Sequence, residues 1–150
     1  MSITDRLSSD LSFAQKSKDE TVVSTLRLIF ANIKNAQIAK GHDLSEEEII
    51  EEIVKDAKRH HESIEAFAKA GRDDLVKKEK AELSVLKKYL PEELSESELE
   101  NMVAEAIKAV GANSISDLGT VIKSVMTSAR ARAQGAKVAQ IAKRLLANDK

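Results

Sequence analysis

Pro91 is the only proline in the 150-residue chain, and it stands in the run Tyr89-Leu90-Pro91-Glu92-Glu93-Leu94-Ser95. A proline has no backbone N–H to donate, and it drives the residue before it out of the helical region. A helical pattern running into Leu90 must therefore stop there. Four residues further on, Ser95 followed by Glu98 has the spacing of a capping box, in which each side chain accepts from the other residue's backbone N–H and a new helix begins. This arrangement predicts an all-α chain. An N-terminal bundle of long helices (1–90) is joined at a proline hinge (91–94) to a small three-helix C-terminal domain (95–150).

Apolar residues recur at helical spacing on both sides of the joint. Ile3, Leu7, Leu11 and Ala14 mark a first helix, and Lys16-Ser17-Lys18-Asp19 reads as a polar turn. Val22, Leu26, Ile29, Ile33 and Ala36, widened by Val23 and Phe30, make a broad stripe of the kind that faces a bundle core. Ser45-Glu46-Glu47-Glu48 opens a third helix reaching about Ala70, and Asp73 starts a fourth whose stripe is thin between Val76 and Leu83. That thin stretch predicts a partly solvated helix. Beyond the joint, shorter helices are expected around Leu99–Val110, from a Ser116 cap through Met126, and around Val138, Ile141, Ala142 and Leu145. Their core is small, and a unit of this size buries only about 60% of its unfolded surface.

Composition narrows the class further. Aromatics make up 3% of residues and glycine is scarce, which disfavours sandwiches and disordered tails. Without cysteine there is neither disulfide nor thiolate chemistry, and a reducing, cytoplasmic location is expected. The opening Met1-Ser2-Ile3-Thr4-Asp5-Arg6 has an early acid and no apolar run, unlike a secretory signal. No stretch approaches the roughly 20 apolar residues of a membrane span.

No catalytic constellation emerges. Asp56 and His60, at i and i+4, offer two metal ligands, but no third stands at informative spacing, and His60-His61 reads as a solvated or interface-facing pair. No metal, cofactor or catalytic residue is therefore expected. His42 sits in a turn, without a partner.

Charge distribution is more telling than the net charge of −1. Between Ile122 and Ala147 the ionised residues are Lys123, Arg130, Arg132, Lys137, Lys143 and Arg144, with no acid. Between Glu92 and Glu105 there are acids and no base. Lys137, Gln140 and Arg144 fall opposite the apolar stripe of the last helix, with Lys143 bordering them. Arg130 and Arg132 lie in the small-residue stretch Thr127–Gly135, which reads as a flexible connection. A flexible segment bearing Arg beside a basic helix face suits a phosphate backbone. Basic residues near helix C-termini are also ordinary, because the helix dipole favours them. The absence of aromatic residues among them disfavours single-strand recognition. A DNA-reading helix-turn-helix over Gly111–Met126 is a poor fit, since Lys123 is the only base on its second helix.

Several runs, taken in order, resemble the GatB/YqeY family: Thr25-Leu26-Arg27-Leu28-Ile29 with Ile33-Lys34-Asn35-Ala36, Ser63–Phe67, Ala70-Gly71-Arg72-Asp73-Asp74-Leu75, Glu79–Leu83, Tyr89–Ser95 and Asp117–Val121. They span nearly the whole chain and are most similar to the free-standing YqeY-like branch. The resemblance implies a longer-helix N-terminal domain and a three-helix C-terminal one. The latter is related to the helical tail of GatB in glutamine-dependent Asp/Glu-tRNA amidotransferase, which contributes to tRNA recognition. It also brings the label of carbon–nitrogen ligase with glutamine as amido-N-donor, although the catalytic domain of the larger protein has no counterpart here. Gln134 stands where the family commonly has an acid, and His60-His61 where it tends to carry Gln or Arg.

The reading that follows is a tRNA-associated helical module without catalysis of its own, touching phosphates through Arg130, Arg132, Lys137, Lys143 and Arg144. Arg27, Lys34, Asn35 and Arg72 are candidates for a second functional surface. The alternatives are an accessory role in tRNA transamidation, or an adaptor docking on a helical protein partner or translation factor.

Overall fold

The computed structural model describes residues 2–148, and every regular element among them is helical. The α-helices are α1 Ile3–Ser17, α2 Glu20–Lys40, α3 Glu46–Lys69, α4 Asp73–Lys87, α5 Glu96–Val110, α6 Leu118–Ala129 and α7 Gly135–Asn148. Short 3-10 turns at Ile115–Asp117 and Arg130–Arg132 lead into and out of α6. The chain divides into two compact units, Met1–Leu90 and Pro91–Lys150.

Side-chain caps set most helix starts. Ser2 accepts from the Asp5 N–H and Asp19 from the Val22 N–H, while Ser45/Glu48 and Ser95/Glu98 both form complete capping boxes. Each such cap satisfies backbone donors that would otherwise be orphaned, an effect of about 1 kcal/mol. The polar turn between α1 and α2 shrinks to Lys18 and Asp19. Lys18 takes a left-handed conformation (φ 58°) that closes α1, and the Asp19 N–H donates back to the Ala14 carbonyl at 3.0 Å.

In the N-terminal unit α3 packs along α4, α1 against α2, and α2 against both α3 and α4. Leu7, Leu26, Ile29, Ile53 and Leu86 are fully enclosed, with Leu83, Val85 and Tyr89 around them. Burying each large aliphatic side chain contributes about 1.5–3 kcal/mol. α1 is also held at its N-terminal end: the Ile3 N–H donates to the Glu46 carboxylate at 3.0 Å, and the Arg6 guanidinium donates to the Lys88 carbonyl at 3.1 Å.

In the C-terminal unit α6 packs on α5 and α7, and α5 on α7. Val103, Val121, Val125, Val138, Ile141 and Ala142 form the centre. Leu146, rather than the expected Leu145, completes the α7 stripe; Leu145 is half-buried. Ser116 does not cap α6. It lies inside the 3-10 turn and its hydroxyl pairs with that of Ser114 at 2.6 Å, while the Asp117 carboxylate accepts from the Asn113 N–H at 3.1 Å. The expected drop in helix length past Pro91 is also weaker than the pattern suggested. α5 has 15 residues, as do α1 and α4, so α2 and α3 alone are long.

Candidate nucleic-acid interface

α7 contains no acid, and its register is fixed by Val138, Ile141, Ala142 and Leu146 turning inward. At 100° per residue, Lys137, Gln140, Lys143 and Arg144 then share the outer arc. All four are exposed.

The connection carrying Arg130 and Arg132 is more ordered than a flexible linker, which corrects the expectation drawn from its small residues. α6 continues to Ala129, which is buried, and a 3-10 turn holds Arg130–Arg132. Arg132 is fastened on both sides: its Nε donates to the Glu92 carbonyl at 3.1 Å, and its own carbonyl accepts from the Leu94 N–H at 2.8 Å. Small residues permitted close packing here rather than mobility. Arg130 is exposed and adopts φ 49°, ψ −122°, a conformation that non-glycine residues seldom take.

Acidic and basic stretches that are separate in sequence meet in the fold. Arg144 forms an ion pair with Glu100 of α5, and the Gln134 amide donates to Glu93 at 3.3 Å. A surface groove between the start of α5 and the start of α7 is lined by Glu93, Glu96, Arg132 and Lys137. From Pro91 onward the sequence holds eight acids and eight bases. The basic face is thus a segregation of charge, not an excess of it. Arg132, Lys137, Lys143 and Arg144 are all exposed, but Arg132 and Arg144 are already engaged, by the Glu92 carbonyl and the Glu100 carboxylate.

The second set of candidates does not converge. Arg27, Lys34 and Asn35 are exposed on α2, but Arg27 opens onto a groove with Gln15, Lys18 and Glu20, and Asn35 onto another with Glu52, Lys55 and Arg59 of α3. Arg72 sits in the α3–α4 turn and donates from two nitrogens to Asp74, at 3.1 and 3.2 Å. That fork holds the Asp74 carboxyl below the usual range.

His60 is not solvated. It is 7% exposed and held between α3 and α4, with Nδ1 2.5 Å from a Glu79 oxygen and 3.7 Å from a Glu82 oxygen. On its other side Nε2 lies 3.4 Å from Asp56 Oδ2. His61 is half-buried. The thin stripe of α4 held a signal for this cluster: Glu79 occupies the turn between Val76 and Leu83 where an apolar residue would face α3. Among the described residues, His60, Glu79 and Glu82 bring donor atoms within 4.8 Å of one another, close enough to share an ion.

A profile of the family described as "Yqey-like protein" matches residues 4–146. Among curated proteins, the chain is 36% identical over 130 residues to "Altered inheritance of mitochondria protein 41, mitochondrial" of Pyrenophora tritici-repentis, covering 85% of this chain and 71% of that one. The protein of the same name from Lachancea thermotolerans is 35% identical over 104 residues (67% and 56%), and that of Saccharomyces cerevisiae 36% over 95 residues (63% and 51%). The chain thus spans little more than half the length of the two yeast relatives. These names overturn the cytoplasmic expectation, since they belong to mitochondrial proteins. A cysteine-free composition indicates compatibility with a reducing environment and does not single out the cytoplasm. Among the described residues no helix is long and apolar enough to cross a membrane.

Proposed function

This chain belongs to the YqeY-like protein family, and we propose that it serves as a tRNA-associated helical binding module. The observation that carries the reading is the outer arc of α7, where Lys137, Lys143 and Arg144 stand exposed on a helix without a single acid. Such an arc neutralises backbone phosphates and releases their counterions, so binding falls steeply with salt. Arg130 and Arg132, at the entrance to α7, extend the same side of the sequence. Pro91, at the division between the two units, supports a hinge on which the N-terminal unit is carried as a platform. Any part in amide transfer belongs to partners that supply the ammonia and ATP chemistry.

The test is a fluorescence-anisotropy titration against mixed tRNA at several salt concentrations, beside a Lys137→Glu/Lys143→Glu variant. Arg144 is kept, because removing it would also break its pair with Glu100. Saturable binding that weakens with salt and is lost in the variant supports the module. No binding at low salt removes it.

A second reading, an adaptor for a helical protein partner or translation factor, is favoured by exposed apolar side chains in the N-terminal unit. Phe13 is 73% exposed, Ile38 71% and Leu28 44%. Single exposed residues of this kind are common, so the reading gains weight only if Phe13→Ser and Ile38→Ser abolish capture of one defined protein.

A further inference from the structure

We propose that His60, Glu79 and Glu82 form a site for a first-row divalent metal ion, of which Zn²⁺ is the representative, between α3 and α4. The inference rests on the N-terminal unit alone and is independent of the tRNA reading.

The donor set comes from two helices whose packing fixes it. Glu79 and Glu82 stand at i and i+3 on α4, so both project from one side toward α3, where His60 points back. The Nδ1 atom of His60 is 2.5 Å from one carboxylate oxygen and 3.7 Å from the other. Ligands at bond lengths near 2.1 Å around a tetrahedral ion are separated by about 3.4 Å, so roughly an ångström of side-chain adjustment closes the group on an ion. One imidazole with two carboxylates is a mixed nitrogen and oxygen set, which suits zinc, iron or manganese and not a thiolate-seeking ion. Side chains of Glu79 and Glu82 are 20% and 18% exposed, which leaves a path of entry and room for water to fill the remaining positions.

A second observation points the same way. Asp56 is 1% exposed and its Oδ2 has no hydrogen-bond partner, although it faces His60 Nε2 at 3.4 Å. Its other oxygen is taken by Arg59. A buried acceptor without a donor is costly, and it is what a metal-binding histidine needs behind it. When Nδ1 gives its lone pair to an ion, the ring hydrogen resides on Nε2, and Asp56 Oδ2 accepts it. The same residues hold three carboxylates against the single guanidinium of Arg59, a local excess of negative charge that a divalent cation offsets. Without an ion, the cluster remains a polar bridge in which Nδ1–H donates to Glu79.

The experiment is isothermal titration of chelator-treated full-length protein with Zn²⁺ alone, compared with Glu82→Gln, His60→Gln and His61→Gln. One ion per chain is expected, with affinity at least tenfold weaker in Glu82→Gln and His60→Gln and unchanged in His61→Gln, together with an ion-dependent rise in melting temperature in the parent and His61→Gln proteins. Should His60→Gln fail to fold, Glu82→Gln decides, because that side chain makes no short hydrogen bond in the cluster. Absence of saturable binding, binding untouched by Glu82→Gln, or binding lost with His61→Gln overturns the site.

Discussion

Tyr89 donates its phenolic hydrogen to the carboxylate of Asp10, tying the last turn before Pro91 to the first helix of the chain. Burial and this acceptor both oppose ionisation of the phenol and push its pKa far above the ordinary value of 10.0, against the weaker pull of Arg6, whose guanidinium lies 5.2 Å from the ring centre. A raised folded-state value means that the contribution to stability is complete below about pH 10 and fades as pH climbs toward the folded value. The chain has one tyrosine and no tryptophan, so the tyrosinate absorbance band reports this group alone. Folded protein is expected to show no tyrosinate at pH near 11, where the unfolded chain is ionised. Tyr89→Phe is expected to lower stability by about 1 kcal/mol at neutral pH, read by urea denaturation.

Glu48 lies under the opposite influence. The Lys40 ammonium at 2.6 Å, aided by the Ser45 N–H, holds its carboxyl at about 2, down from 4.5. A lowered value stabilises the fold above the unfolded pKa and is lost as pH falls from 4.5 through about 2. Glu48→Gln should flatten the acid limb of the stability profile in that window. Ser45→Ala, which removes the hydroxyl that accepts from the Glu48 N–H and leaves the Ser45 N–H bond to Glu48, is expected to cost about 1 kcal/mol at any pH in the neutral range.

Glu100 restrains Arg144, so Glu100→Gln should free a guanidinium for phosphates and strengthen tRNA binding at low salt. One further phosphate contact steepens the logarithmic salt slope by about 0.7–0.9, which a titration series at several ionic strengths resolves. The exposed pair itself contributes at most about 1 kcal/mol, so the fold should be little changed.

Arg130 occupies backbone space that suits glycine. Arg130→Gly is expected to leave stability equal or raise it by up to about 1 kcal/mol while weakening tRNA binding. A parallel loss of both would show that its side chain is there to hold the turn.

Helix positions were legible because the rules that set them are local: the Ser45 and Ser95 boxes, Gly41 and Gly111 in left-handed caps, and the stripe of Leu26, Ile29 and Ile33 all act within a few residues. The all-helical class followed from them. What pairs across the fold was hidden. Nothing near Glu100 announces Arg144, and although the thin stripe of α4 marks Glu79 as unusual, it does not name His60 as its partner, since each pair depends on how two helices lie against each other. His60 reads in sequence as solvated or interface-facing, with no third ligand beside it; its neighbours in space on α4 decide against the solvated alternative. The segment Thr127–Gly135 was misread for a related reason. Small residues are equally a mark of slackness and of close packing, and the tie between Arg132 and Glu92 decides for the latter.

The two-residue link between α1 and α2 leaves the chain no slack at that corner. Lys18 ends one helix and Asp19 begins the next, so the rotational phase of α2 is geared to that of α1 like two cogs on a short shaft. One residue inserted inside α2, ahead of Leu26, would advance the wheel by about 100° and carry Leu26, Ile29 and Ile33 out of mesh.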